Sequence, residues 1–155
     1  MTKQYDKGVA QAEKAVALNP NSAESHYRLG KTLSLAGRWE ESIPPYKKAM
    51  RLNPIPPNMY LWSLGVSYWG IGQYEEAIPW GEKAVRQEPN SLLARVWMAV
   101  IYVSSGREEE ARAEAAEVLR IQPKFTLKGF EKRLTYKRKE DREKFLDALR
   151  KAGLT

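Results

Sequence analysis

The 155-residue chain has no cysteine and a single histidine, His26. Without cysteine there are no disulfides, no thiolate zinc sites and no cysteine nucleophile, which fits a reducing compartment. With one histidine, no His/Cys/carboxylate cluster has metal-ligand spacing. No stretch approaches 18 uncharged apolar residues, so no membrane-spanning helix is expected. Residues 1–10 lack the apolar core of a signal peptide, and the expected location is cytoplasmic. A phosphate loop between strand and helix is also missing, since Gly65, Gly70 and Gly72 fall in a helix and its turn. Glu40-Glu41, Glu75-Glu76 and Glu108-Glu109-Glu110 begin helical stretches, where acids compensate the helix dipole. No residue set points to an enzyme or a cofactor.

What the chain does have is a period. Pro20, Pro54, Pro89 and Pro123 recur at steps of 34, 35 and 34 residues. Leu18-Asn19-Pro20 and Leu52-Asn53-Pro54 are near copies. Gly37, Gly72 and Gly106 run alongside at the same step. A fixed period of this length signals stacked supersecondary units rather than a fold with one centre. Hydrophobic residues make up 43% of the chain, enough for a continuous core.

Each period divides into two helical patterns around a glycine. Ala23, Tyr27, Leu29, Leu33 and Leu35 place an apolar face on a helix over 22–36, capped by Asn21 or Ser22 and ended by Gly37 in a left-handed turn. A second helix follows Trp39, carries Ile43, Tyr46, Ala49 and Leu52, and stops before Pro54. The pattern repeats over 58–71 and 74–87, then over 91–104 and 108–121. Links this short force antiparallel neighbours.

These residues resemble the tetratricopeptide repeat, a helix–turn–helix of about 34 residues. Leu29-Gly30 and Leu64-Gly65 match its Leu-Gly pair, with Met98-Ala99 a conservative third copy. Residues 37–42 (GRWEES) and 72–77 (GQYEEA) match the turn and the start of the second helix. Ala49, Ala84 and Val118 fill the late small or apolar position. The resemblance covers roughly residues 5–123 and implies an all-α fold, an α-solenoid of antiparallel helix pairs. It divides residues 1–123 into a half repeat at 5–20 and repeats at 23–54, 58–89 and 92–123. His26 then falls at a position of helix packing.

Three features depart from the motif. Pro44 and Pro79 stand early in second helices, where proline costs a hydrogen bond beyond the first turn. Ile55-Pro56-Pro57 adds one residue to a link, which is expected to alter the angle between repeats. The array also begins with the second helix of a unit, so the chain is expected to be a piece of a longer protein. The apolar side of that helix, with Tyr5, Val9, Ala12 and Val16, is expected to lack cover, and so to fray or to pair with another copy in a homo-oligomer.

Residues 124–155 are expected to cap the array. They hold 11 Lys/Arg and 5 Asp/Glu, a net of +6 out of a total of +7. A short helix is expected over 125–134 with Thr126 as its cap, and a longer one over 140–152. The longer one has acids first, bases last, Gly153 as its stop, and Phe145, Leu146 and Leu149 on one face. Residues 134–154 resemble the C-termini of bacterial class III adenylate/guanylate cyclases and related signalling proteins that carry such arrays. That resemblance implies a parent with an N-terminal cyclase or DNA-binding domain.

In this family the first helix of each repeat lines a concave wall. The equivalent positions are Glu24, Tyr27, Lys31, Ser34 and Leu35, then Met59, Trp62, Val66 and Trp69, then Leu93, Val96, Val100 and Val103. Members that clamp the C-terminal carboxylate of chaperones carry Lys, Asn and Arg there. Of Tyr27, Lys31, Trp62, Val66, Val96 and Val100 only Lys31 is basic, so the resemblance implies no such clamp.

The wall is thus apolar with two tryptophans. Trp62 and Trp69 either pack internally, against neighbouring helices or the chain's own tail, or anchor a protein or peptide partner in the groove. The leading expectation is a protein-interaction module, the C-terminal region of a bacterial signalling protein. The alternatives are an intramolecular regulatory or dimerisation region of a cyclase-like enzyme, and a nucleic-acid accessory acting through Lys132-Arg133 and Lys137-Arg138-Lys139. Acids interleaved with those bases, and Tyr136 as the one aromatic between them, argue against nucleic acid.

Overall fold

A computed structural model describes residues 2–134 and 138–155. Its elements are α1 (Thr2–Leu18), α2 (Ala23–Leu35), α3 (Trp39–Leu52), α4 (Asn58–Gly70), α5 (Tyr74–Gln87), α6 (Leu92–Ser104), α7 (Glu108–Ile121), α8 (Leu127–Glu131) and α9 (Lys139–Lys151). Among the described residues all regular structure is helical.

The pairs α2/α3, α4/α5 and α6/α7 close through one local device. Gly37, Gly72 and Gly106 have φ of 77°, 79° and 81°, a left-handed conformation that costs glycine nothing. The residue after each donates back across the turn: Arg38 N–H to Leu33 C=O at 2.9 Å, Gln73 to Tyr68 at 2.9 Å and Arg107 to Tyr102 at 2.8 Å. These are Schellman closures, which satisfy carbonyls the helix end leaves open. Ser22 and Ser91 cap α2 and α6 by accepting from Ser25 N–H at 3.1 Å and Ala94 N–H at 3.4 Å.

Successive pairs stack through α3 on α4 and α5 on α6. The first helices α2, α4 and α6 also touch in series and form the inner wall. Close approach within a pair depends on small residues: a Cβ on Gly30 would lie 2.7 Å from the Tyr46 ring. Pro44, Pro45 and Pro79 lie inside α3 and α5, which run through them unbroken.

Between the first two pairs lies a buried polar network. Ser67 Oγ shares hydrogen bonds with Ser42 Oγ at 2.7 Å and Ser34 Oγ at 3.2 Å, and Ser34 Oγ shares one with the Tyr46 hydroxyl at 3.2 Å. Every buried side-chain polar atom among the described residues has a partner, as a stable core demands. His26 donates from Nε2 to the Pro20 carbonyl at 2.8 Å, and Arg95 does the same for Pro89 at 3.0 Å. Both tie the start of a first helix to the proline six residues before it.

Two expectations are corrected. The stripe Tyr5, Val9, Ala12 and Val16 is not left bare: Val9 is 3% exposed and the other three are half-buried where α1 packs on α2. The position that lacks cover is the one that Ala49, Ala84 and Val118 occupy, fully buried, in later pairs. In α1 it is Ala15, which is exposed, close to Leu18. The short C-terminal helix is also narrower than 125–134, because i to i−3 bonds from Arg133 to Phe130 and from Leu134 to Glu131 end α8 at Glu131.

Trp39 sits in the space that a glycine leaves. A Cβ on Gly70 would fall 2.3 Å from Trp39 Cδ2. Gly70→Ala should therefore destabilise the fold by roughly 1–3 kcal/mol through overpacking, even though alanine favours a helix interior by about 1 kcal/mol. The midpoint of urea unfolding reads the sign directly.

Candidate functional site

The inner wall is half filled by the chain's own C-terminus. Helix α9 packs on α6, and its Phe145 ring meets Trp97 at 4.6 Å between centroids. Trp97 in turn meets Trp69 at 5.4 Å, and Trp69 meets Trp39 at 6.3 Å, both near edge-to-face. On the other side Phe145 lies 6.0 Å from Phe130, and Phe130 lies 5.4 Å from Phe125. Six rings thus form one row from the first complete pair to the terminal helices. Edge-on and offset contacts of this kind each add about 0.5–1.5 kcal/mol beyond burial.

Polar contacts fix α9 along the same line. Lys144 Nζ lies 4.8 Å from the Trp69 ring centre and donates to the Tyr74 hydroxyl at 2.8 Å. Trp39 Nε1–H donates to Asp141 Oδ2 at 3.3 Å. The Leu127 N–H donates to the Thr155 carbonyl at 3.0 Å and ties the last residue to the start of α8.

The ten residues expected in the groove therefore separate into two groups. Trp69, Val96 and Val100 are fully buried, Val66 is buried, and Val103 is half-buried against the same core. Trp69 belongs to that core, between Trp39, Trp97 and Lys144, and has no face for a partner. Met59 and Leu93 are 46% and 42% exposed, Lys31 is exposed and Trp62 is half-buried. Tyr27 is buried, but its ring lines an open cavity.

That cavity, of about 150 Å³, lies over the N-terminal half of the wall. Tyr27, Lys31, Ser34 and Leu35 of α2 line one side, with Trp62, Ser63 and Val66 of α4, and Trp39, Tyr46 and Trp97 of the core border it. Arg133 and Leu134, which follow α8, also line it. Tyr27 stacks on Tyr60 at 4.4 Å and 8°. Burial raises the Tyr27 and Tyr46 phenols above their usual range, against hydrogen bonds from Ser63 and from Ser34 and Ser63 respectively that act to lower them. Both hydroxyls stay neutral at any physiological pH. Trp62 also lines a shallow depression with Met59 and Leu93.

Sequence reasoning gave Trp97 no role, read Trp39 only as the start of a helix and Arg133 only as a possible phosphate contact, and placed none of them at the wall. Trp39, Trp69 and Trp97 are spaced 30 and 28 residues apart, off the 34-residue period. Arg133 reaches the wall from outside the repeats. Of the basic tail, Lys132 and Arg133 are exposed, Arg138 pairs with Glu140 and Asp141, and Lys139 pairs with Glu143. Tyr136 and Lys137 lie outside the described residues. Among the described residues no His/Cys/Asp/Glu group could hold a metal ion, and no helix is long and apolar enough to cross a membrane.

Three family models, each described as tetratricopeptide repeat, match residues 12–43, 46–91 and 69–128. Among solved structures, YrrB, described as a TPR protein with an unusual peptide-binding site, is 25% identical with a TM-score of 0.66; the match covers 97% of this chain and 77% of that one. MamA is 23% identical with a TM-score of 0.71, over 96% and 86%. A thermophilic TPR protein of Thermus thermophilus is 21% identical with a TM-score of 0.71, over 95% and 74%. A search of curated proteins found no match.

Proposed function

For a chain that carries tetratricopeptide repeats across residues 12–128, we propose a non-enzymatic interaction module that takes a partner segment in the N-terminal half of its concave wall. The observation that carries this reading is the open cavity between Tyr27, Lys31, Trp62 and Val66, the part of the wall α9 leaves uncovered. It is apolar on its floor and has room for one large side chain, with Trp62 as the anchor. A depression lined by Met59, Leu93 and the same Trp62 offers a second place. The peptide-binding site ascribed to YrrB is consistent with a peptide as the partner.

The likeness of residues 134–154 to cyclase-associated C-termini supports a signalling parent from sequence alone, since the family matches end at residue 128. The fold role of α9 accounts for Phe145, Leu146 and Leu149 without a cyclase.

A phage-displayed random dodecapeptide library panned on the immobilised chain tests the reading. Selected peptides should lose at least tenfold in affinity on Trp62→Ala, an effect of about 1.4 kcal/mol or more, while the variant stays folded by circular dichroism. Equal binding to both proteins would sink it.

A further inference from the structure

Beyond its apolar floor, the cavity has a charged mouth. Lys31 reaches it from α2 and Arg133 from the segment after α8. Both side chains are exposed, and among the described residues neither has a carboxylate within ion-pairing distance. Three of the nearby acids are already engaged. Glu24 accepts from Arg28 at 2.7 Å, Asp141 lies 3.7 Å from Arg138, and Glu131 pairs with Arg142. Two cations from separate elements thus face one apolar cavity with no internal counter-charge.

Resting on the groove reading above, we infer that the partner segment is acidic as well as apolar: an extended peptide that sets a large aromatic or aliphatic side chain between Tyr27 and Trp62 and flanks it with Asp or Glu facing Lys31 and Arg133. The apolar side chain supplies the affinity by desolvation. The carboxylates supply selection, since complementary rim charge speeds encounter and penalises basic segments. A deep clamp around a chain end is not required, because both cations stand at the rim.

The library experiment carries the test when it is run on three proteins. On the unaltered chain, selected peptides should be enriched in Asp and Glu within two positions of a Phe, Trp, Leu or Ile. On the double variant Lys31→Glu, Arg133→Glu that enrichment should vanish or turn basic, and acidic peptides from the first selection should bind about tenfold more weakly, since each exposed charge contact contributes up to ~1 kcal/mol. Lys31→Gln with Arg133→Gln should give an intermediate loss and guards against a folding effect of charge reversal. Selection indifferent to acids, yet abolished by Trp62→Ala, overturns the charge inference and leaves the groove standing. Selection indifferent to Trp62→Ala as well overturns both.

Discussion

Trp69→Ala should cost the chain about 3–5 kcal/mol of stability, the range for removing a large aromatic from a core, while Trp62→Ala, at a half-buried site, should cost clearly less. The two residues are seven apart on the same helix and share its inner face, yet their surroundings differ. Trp69 is 0% exposed. It lies edge-on to Trp39 and Trp97, lies under the Lys144 ammonium, and donates from Nε1 to Ser104 Oγ at 2.9 Å. Truncation removes two ring contacts and a cation–π contact, and opens a cavity that rigid helices cannot close. Domains of this size are stable by only about 5–15 kcal/mol, so the loss should be plain in urea unfolding followed by circular dichroism. Trp62 is half-buried at the edge of the core and also lines the open cavity. If both variants shift the midpoint equally, the division of the wall into a core half and a binding half is wrong.

Phe145→Ala is the second large effect, again about 3–5 kcal/mol. The ring is fully buried, and it links the tryptophans to Phe130. Most of the apolar face of α9 is committed with it: Leu149 is 0% exposed and Leu146 and Ala148 are 5% each. The rest of α9 is charged and gains little from staying docked. Loss of Phe145 should therefore release the helix as a unit. Hydrogen exchange should rise across residues 139–151 together, and tryptophan emission should shift to the red as Trp97 and Trp69 meet water. Exchange confined to a turn around residue 145, with a midpoint loss under about 1 kcal/mol, would instead make α9 a peripheral cover.

The repeat body was readable because its rules are local. Proline and glycine steps set the phase of α2 to α7, and the left-handed glycines sit where the period placed them. The apolar face of α9 was readable for the same reason, from Phe145, Leu146 and Leu149. Which wall that face would meet was not, because a repeat pattern relates only neighbours and α9 lies outside the period. The mixed fate of the ten groove positions follows from this. A helix projection puts Trp62, Val66 and Trp69 on one face, and only the path of the tail decides which of them meet water. Arg133 escaped for a related reason, since its place at the cavity depends on where α8 ends.

The hydrogen bond from Trp39 to Asp141 joins residues 102 apart in the chain. A bare solenoid has nearest-neighbour couplings only, so it can peel open from either end. Here the last helix also bridges back to the first complete pair, as a chord closes an arc, so opening either end of residues 39–151 breaks a contact made by the other. Unfolding of this stretch should be all-or-none, while closing the chord requires a contact of high sequence separation late in folding, which slows it relative to an open array. The tail thereby trades the stepwise melting of a repeat protein for the cooperativity of a closed domain.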